Sequence, residues 1–321
     1  MPRPVSQPDL RLLAKVSCMY YEQKLTQQEI AQRLHLSRPK VSRLLQQAEE
    51  AGIVQIIIKT PSGVLHADLE ARLEQMFGLL EVFVVDVEAG ASQEIISRRV
   101  GAAAAAYLQR TVEAGDTIGF AWGTTLNGMV SALTPIEVKN VHVVQLIGGL
   151  GPPESDLHAA EVCRRLAHLL NAKLTLIPAP GIVGSEEMKE IVLADSYVQS
   201  AFRQFSAINV AYLGIGVPSP DSVMMRDGSI ITEEELAMLK AKGALGDIVL
   251  RFFDKQGQHI RSDVDSRVIG ITLEDLSKIE RVVGVAGGPL KDEVVLGALR
   301  GGLINVLITD AGLATRILER G

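Results

Sequence analysis

Two cysteines in 321 residues, Cys18 and Cys163, are all the thiol chemistry this chain carries. They lie far apart inside helical patterns, and no cysteine or histidine spacing suits a metal. Neither a disulfide framework nor a structural zinc is expected, and the pair reads as small buried hydrophobes of a reducing cytosol. No apolar run reaches the length that spans a bilayer. The start, MPRPVSQPDLRLL, has no uninterrupted apolar stretch, so no secretory signal is expected. Short-period repeats and low-complexity tracts are also missing. The expectation is a cytoplasmic protein without membrane partner, metal or cofactor.

A net charge of −6 would argue against nucleic acid if it were spread evenly. It is not. Residues 1–60 hold nine Lys/Arg against five Asp/Glu, about +4, and the remainder holds 23 against 33, about −10. A basic head on an acidic body suits separate DNA-binding and effector-binding domains. The length allows two domains with real cores, and 29 glycines with 47% hydrophobic residues fit an α/β protein rich in strand-to-helix turns.

Residues 26–48, TQQEIAQRLHLSRPKVSRLLQQA, carry the sharpest local signal. Thr26 and Glu29 have capping-box spacing. Ile30, Ala31 and Leu34 then recur on one helical face. His35-Leu36-Ser37 makes the turn, with Ser37 as the next N-cap and Pro39 where its missing N–H matters little. Val41, Leu44, Leu45 and Ala48 form the buried face of the second helix, and Gly52 ends it. Ser37, Arg38, Pro39, Lys40, Ser42 and Arg43 are left facing away. That is the layout of a helix-turn-helix whose second helix enters the major groove of a double-stranded operator. A surface helical hairpin with ordinary charges is the plain alternative.

A helix over Leu10–Tyr21 is expected before this pair, and a short strand over Val54–Ile58, the wing of a winged helix, after it. Pro61-Ser62-Gly63 breaks the chain. Residues 65–77 then predict a linker helix with Leu65, Leu69, Leu73, Met76 and Phe77 in one stripe, packed on the next domain or on a partner chain. The domain boundaries are therefore 1–60, 61–79 and 80–321. From residue 80, strands over 81–87, 117–122, 141–147, 173–177, 207–214, 282–287 and 304–309 alternate with helices over 94–111, 126–133, 161–170 and 294–299. The run Gly101 to Ala106 reads as a close-packing helix face. Such alternation implies a mainly parallel, Rossmann-like sheet covered on both faces, with ligands beyond the carboxyl ends of its strands.

Several of those strand ends are chemically suggestive. At Gly123-Thr124-Thr125 a strand turns into a helix, and free N–H groups with two hydroxyls suit an anion. Gln145 closes a strand ahead of Gly148 and Gly149, which leave room above the sheet. Gly214-Ile215-Gly216 ends another strand. Lys291 follows Gly287-Gly288-Pro289, and Asp247 follows Gly243 to Gly246. One anion site, one lysine, one amide and one carboxylate would suit a phosphorylated polyol. Each also has an ordinary explanation as a cap, a turn or a solvated surface residue.

Together these residues resemble the SorC family of bacterial transcriptional regulators, which includes the deoxyribonucleoside and central glycolytic gene regulators. The marks are Tyr20-Tyr21-Glu22 through the helix-turn-helix, Gly119 to Thr125, Gln145 to Gly149, Gly214 to Gly216, Gly246-Asp247-Ile248, Gly287 to Lys291, and Ile308-Thr309-Asp310. The resemblance implies a C-terminal sugar-phosphate sensor, folded like ribose-5-phosphate isomerases and glucosamine-6-phosphate deaminases. It implies effector phosphate on Gly123, Thr124 and Thr125, a pocket also lined by Asp247 and Lys291, and a homotetramer built from dimers. Gln145 stands where some relatives have a basic residue, including a lysine that captures sugar covalently. A glutamine cannot form that Schiff base.

The alternative function is a sugar-phosphate isomerase or deaminase with an appended N-terminal domain. Such chemistry needs a positioned base. His142 and His158 are the histidines nearest in sequence to the pocket segments, and neither has an acidic partner pattern. Asp247 is the one plausible base. A helix-turn-helix has no use in an isomerase, so the regulator is the expectation.

Overall fold

The computed structural model describes residues 9–54, 66–150, 159–218 and 230–321. The chain forms two compact units, Met1–Gly63 and Val64–Gly321.

In the first unit α1 (Leu10–Ser17) runs into a single π-helical turn, Cys18–Glu22, where the sequence predicts one continuous helix. Helices α2 (Gln27–Arg33) and α3 (Arg38–Glu50) follow. The capping box forms as expected, with the Glu29 carboxylate accepting the Thr26 N–H at 2.8 Å. His35 makes the turn at φ 51°, and Gly52, at φ 71°, lies just past the end of α3. Leu13, Val16, Ile30, Val41, Leu45 and Ala48 close one core. Each large aliphatic side chain buried there contributes roughly 1.5–3 kcal/mol. The Tyr21 hydroxyl donates to Glu49 at 2.6 Å, tying the π turn to α3. The strand expected over 54–58, the 61–63 break and Leu65 fall largely or wholly outside the described residues.

The second unit begins with α4 (Ala67–Phe77), which packs on this unit through Leu69, Leu73 and Phe77 while Met76 stays half exposed. Glu70 and Glu74, one turn apart, accept the N–H groups of Val84 and Val82 at 2.9 Å each. Those N–H groups belong to the edge strand β1 (Glu81–Val85), so α4 closes an edge that would otherwise be open to pairing. Then follow α5 (Gln93–Thr111), β2 (Thr117–Phe120), α6 (Thr124–Ala132), β3 (His142–Gln145), α7 (Ala159–Leu169) and β4 (Lys173–Thr175). Helices α8 (Glu186–Leu193) and α9 (Ser196–Phe202) precede β5 (Val210–Gly214). After α10 (Glu233–Ala241) come β6 (Gly246–Ile248), β7 (Arg251–Phe253), α11 (Asp263–Arg267) and α12 (Leu273–Leu276). The chain finishes through β8 (Arg281–Val285), α13 (Asp292–Arg300), β9 (Val306–Asp310) and α14 (Ala311–Arg320).

Among the described residues, seven strands form one sheet in the order β1-β9-β8-β5-β2-β3-β4, every pair parallel. All five residues of β9 and the last three of β2 are buried, which requires cover on both faces. From β2 the chain steps outward through β3 and β4, returns to β5, and steps the other way through β8 and β9. The order therefore reverses between β2 and β5. A crevice opens beyond the carboxyl ends of the strands at such a reversal.

Two glycines set how closely α5 and α6 approach. A Cβ on Gly101 would lie 2.7 Å from the Met129 nitrogen and 2.8 Å from the Thr125 carbonyl oxygen. One on Gly128 would lie 3.3 Å from the Ser97 carbonyl oxygen. The two helices α5 and α6 thus touch backbone to backbone, which is what the small-residue run is for.

Candidate functional site

On α3, Ser37, Arg38, Pro39, Lys40, Ser42 and Arg43 are all exposed. None of the three cations has a carboxylate partner among the described residues; Arg43 Nε reaches only the Pro39 carbonyl, at 3.4 Å. Ser37 takes the N-cap position with extended backbone, but its hydroxyl makes no capping bond, contrary to the sequence expectation. That leaves the hydroxyl and the Arg38 N–H free at the helix start, since Pro39 has no N–H and the Lys40 N–H donates to the Ser37 carbonyl at 2.9 Å. Replacing Arg38 by alanine is expected to weaken specific operator binding by about 1–3 kcal/mol if it reads a base. Equal loss on operator and random DNA in gel-shift titrations would reassign it to phosphate. No loss on either would remove it from the interface.

At the other candidate site, four adjacent strands, β8-β5-β2-β3, end on the same edge of the sheet. Lys291 follows β8, Gly216 follows β5, Gly123-Thr124-Thr125 follows β2, and Gln145 is the last residue of β3. Residues scattered over almost 170 positions of sequence are thereby brought to one crevice. The threonines differ from the sequence expectation in one respect. Helix α6 starts at Thr124, two residues earlier than the pattern predicts, so both threonines lie in its first turn. Gly123, at φ 129°, is the N-cap residue, and no side chain caps the helix. Its leading N–H groups have no partner among the described residues and, with the helix dipole, favour an anion.

Asp247 arrives from β6, which pairs with β7 as an antiparallel hairpin that the sequence pattern does not predict. Gly216 and Asp247 exchange backbone hydrogen bonds of 2.9 and 3.2 Å. A Cβ on Gly216 would lie 1.8 Å from Asp247 Oδ1, so only glycine leaves room for the carboxylate. Asp247 is buried; its Oδ2 accepts the Leu250 N–H at 3.2 Å, and its Oδ1 has no partner. Burial pushes its pKa from 3.8 up to about 6, against the pull of the Leu250 N–H and of Lys291. Lys291 donates to the Ile215 carbonyl at 2.6 Å. Burial holds its pKa below the usual lysine range, with Asp247 opposing.

Gln145 is fully buried, its Oε1 accepting the Ile177 N–H at 3.1 Å and its Nε2 without a partner. Two buried polar atoms at one crevice, a donor and an acceptor, are thus left unmatched. Such groups are rare because each costs about 1–3 kcal/mol. Gly148 and Gly149 depart from the expectation. Their N–H groups donate to Ile269 and Ala179, and a Cβ on Gly148 would lie 2.5 Å from the Pro180 carbonyl oxygen. The space beside Gly148 is filled by the 179–180 segment and is not left for a ligand.

The His142 ring bonds Thr175 at 2.8 Å, with burial lowering its pKa, and has no carboxylate partner among the described residues. His158 lies outside the described residues. A cavity of about 440 Å³ lies elsewhere, between α8, α10 and α11. Its cations are already engaged, Arg267 with Glu235 and Lys242 with the Arg261 carbonyl, while Glu186, Glu187 and Asp263 add negative charge to its wall, and no unmatched buried atom among the described residues faces it. The strand-end crevice, with unsatisfied groups, is the better candidate.

Residues 64–319 match the family described as "Putative sugar-binding domain", and residues 16–55 match "Winged helix-turn-helix DNA-binding". The deoxyribonucleoside regulator of Bacillus subtilis (strain 168) is 36% identical over 313 residues, covering 96% of this chain and 97% of its own. The sorbitol operon regulator of Klebsiella pneumoniae is 31% identical, covering 97% and 98%. The crystal structure of the full-length sorbitol operon regulator SorC from Klebsiella pneumoniae superposes with a TM-score of 0.73 at 31% identity, covering 98% and 100%. The chain belongs to the SorC family of transcriptional regulators. Its relatives are regulators and not enzymes, so the isomerase or deaminase alternative is not favoured despite the shared type of sheet. Among the described residues no helix is long and apolar enough to cross a membrane.

Proposed function

We propose that this SorC-family regulator controls a carbohydrate-related operon and is itself controlled by a phosphorylated sugar held at the strand-end crevice. One observation carries the reading. The open start of α6, a half-buried lysine and two buried, unmatched polar atoms, Asp247 Oδ1 and Gln145 Nε2, share adjacent strand ends where the strand order reverses. The phosphate dianion sits on Gly123, Thr124 and Thr125, with Lys291 supplying the countercharge. Sugar hydroxyls donate to Asp247 and accept from Gln145. Gly216 admits the carboxylate. The names of the relatives, a deoxyribonucleoside regulator and a sorbitol operon regulator, are consistent with effectors of this chemistry. A thermal-shift screen of phosphorylated pentoses, hexoses and polyols, each beside its free form, tests this reading. A ligand that binds the folded state stabilises it by mass action. Equal shifts for phosphorylated and free sugars would remove the phosphate site.

Residues 1–60 bind the operator, 61–79 link, and 80–321 bind effector and oligomerise, in the cytoplasm. One recognition helix reads too few bases for useful specificity, so a two-fold dimer on a palindrome, and a tetramer of two such dimers, is expected. Light scattering at micromolar concentration is expected to give a mass of two or four chains. A monomer there would contradict it. Effector and operator are then coupled only through their different affinities for two arrangements of the oligomer.

A further inference from the structure

The lysine at this crevice is the last residue of a single 3₁₀ turn, Pro289–Lys291. It ends a tight turn, Gly287-Gly288-Pro289-Leu290-Lys291, between β8 and α13. Two side chains from outside the crevice grip that turn. Asp310, buried at the end of β9, divides its carboxylate: Oδ1 accepts the Leu313 N–H at 2.9 Å, capping α14, and Oδ2 accepts the Gly288 N–H at 2.7 Å. Gln93, at the start of α5, donates Nε2 to the Gly287 carbonyl at 3.0 Å. Gly288 is at φ 105°, where a side chain would be strained, and a Cβ there would lie 2.2 Å from Gln93 Oε1. The carbonyl of Gly288 in turn accepts the Lys291 N–H at 3.2 Å. A chain of short contacts therefore runs from Asp310 through one glycine to the lysine, whose Nζ rests on the Ile215 carbonyl.

We propose that Asp310 and Gln93 are positioning residues for effector binding, fixing the Gly287–Gly288 turn so that the Lys291 ammonium is aimed at the phosphate before it arrives. The inference rests on the proposed sugar-phosphate site. A flexible lysine would lose rotamer freedom on binding, and a fixed one has already lost it, so the clamp favours affinity through preorganisation. Neither side chain needs to touch the ligand. Aspartate is specified by its two oxygens, each serving one N–H. Asparagine has one acceptor oxygen, and its amide would set a donor against one of the two N–H groups.

The test is a double-mutant cycle of Asp310→Asn and Lys291→Met, with Gln93→Leu as a second clamp variant that leaves the α14 cap intact. Ribose 5-phosphate and inorganic phosphate are the probes, titrated by calorimetry, with thermal unfolding of each unliganded variant beside them. In the wild-type background each clamp variant is expected to weaken binding of both probes, Asp310→Asn by about tenfold. In the Lys291→Met background neither is expected to weaken it further, because nothing remains to be aimed. The stability lost with the α14 cap, in contrast, is expected to be the same in both backgrounds. That separates positioning from a merely structural role. Clamp effects on affinity that persist unchanged after Lys291→Met, or that are missing in the wild-type background, overturn the positioning role alone. Failure of the wild type to bind either probe, or binding indifferent to Lys291→Met, overturns the site itself and the inference with it.

Discussion

Asp247→Asn is expected to make the unliganded protein more stable at pH 7 while impairing its effector response. The folded-state pKa of Asp247 is about 6 against 3.8 for an unperturbed aspartate. Between those two values the folded chain holds a proton that the unfolded chain has released. Stability therefore falls as pH rises from about 4 to 6, and the loss is complete above the folded-state pKa. A shift of this size corresponds to a penalty on the order of 3 kcal/mol at pH 7. Asparagine keeps an acceptor for the Leu250 N–H and carries no charge into the interior. Urea unfolding from pH 4 to 8 is expected to show a decline for the wild type that the variant lacks. In the same variant, discrimination among sugars is expected to suffer more than affinity for phosphate, because the hydroxyl acceptor is what has changed. A variant as pH-sensitive as the wild type would place the titrating group elsewhere. A residue that destabilises the fold at a crevice is best explained by binding.

Lys291→Met is expected to remove most of the preference for phosphorylated over free sugar. A hydrogen bond to a charged group is worth about 1.5–3 kcal/mol, so affinity for the phosphorylated form is expected to fall by roughly 10- to 150-fold. Affinity for the free sugar, which offers the lysine no countercharge, is expected to change little. Operator binding without effector is expected to remain, since the substitution lies in the second unit and leaves α3 unaltered. Calorimetry with matched sugar pairs and gel shifts with and without effector measure both halves. Retained preference for phosphate would assign the countercharge to another group.

The helix-turn-helix is legible in the amino-acid sequence alone. Its capping box, its turn at His35 and its apolar spacing at Ile30, Val41, Leu44 and Leu45 are contacts between near neighbours in the chain, and local chemistry decides them. The seven sheet strands are legible for a related reason: strands buried on both faces read as apolar runs. The β6–β7 hairpin is not. Its two turn residues are Val249 and Leu250, at φ 49° and 61°, where the usual turn signal is asparagine or glycine. Both are buried, and the Leu250 N–H rests on Asp247. Tertiary packing there outweighs a local preference that points the other way.

The sequence by itself determined the two-part organisation, the exposed basic face of α3, and the residue types at the strand ends. Each follows from periodicity, capping or charge within a few residues of chain. Only the tertiary structure decided which of those residues meet. The strand order places Lys291, Gly216, Thr124 and Gln145 on four adjacent strand ends, and the Gly216 bridge carries Asp247 to them. It also gave Gly148 to the packing of a neighbouring segment and revealed that Asp310 holds the lysine turn from outside. These are contacts between positions far apart in the chain. No local preference encodes them, because their free energy comes from closing the whole sheet at once.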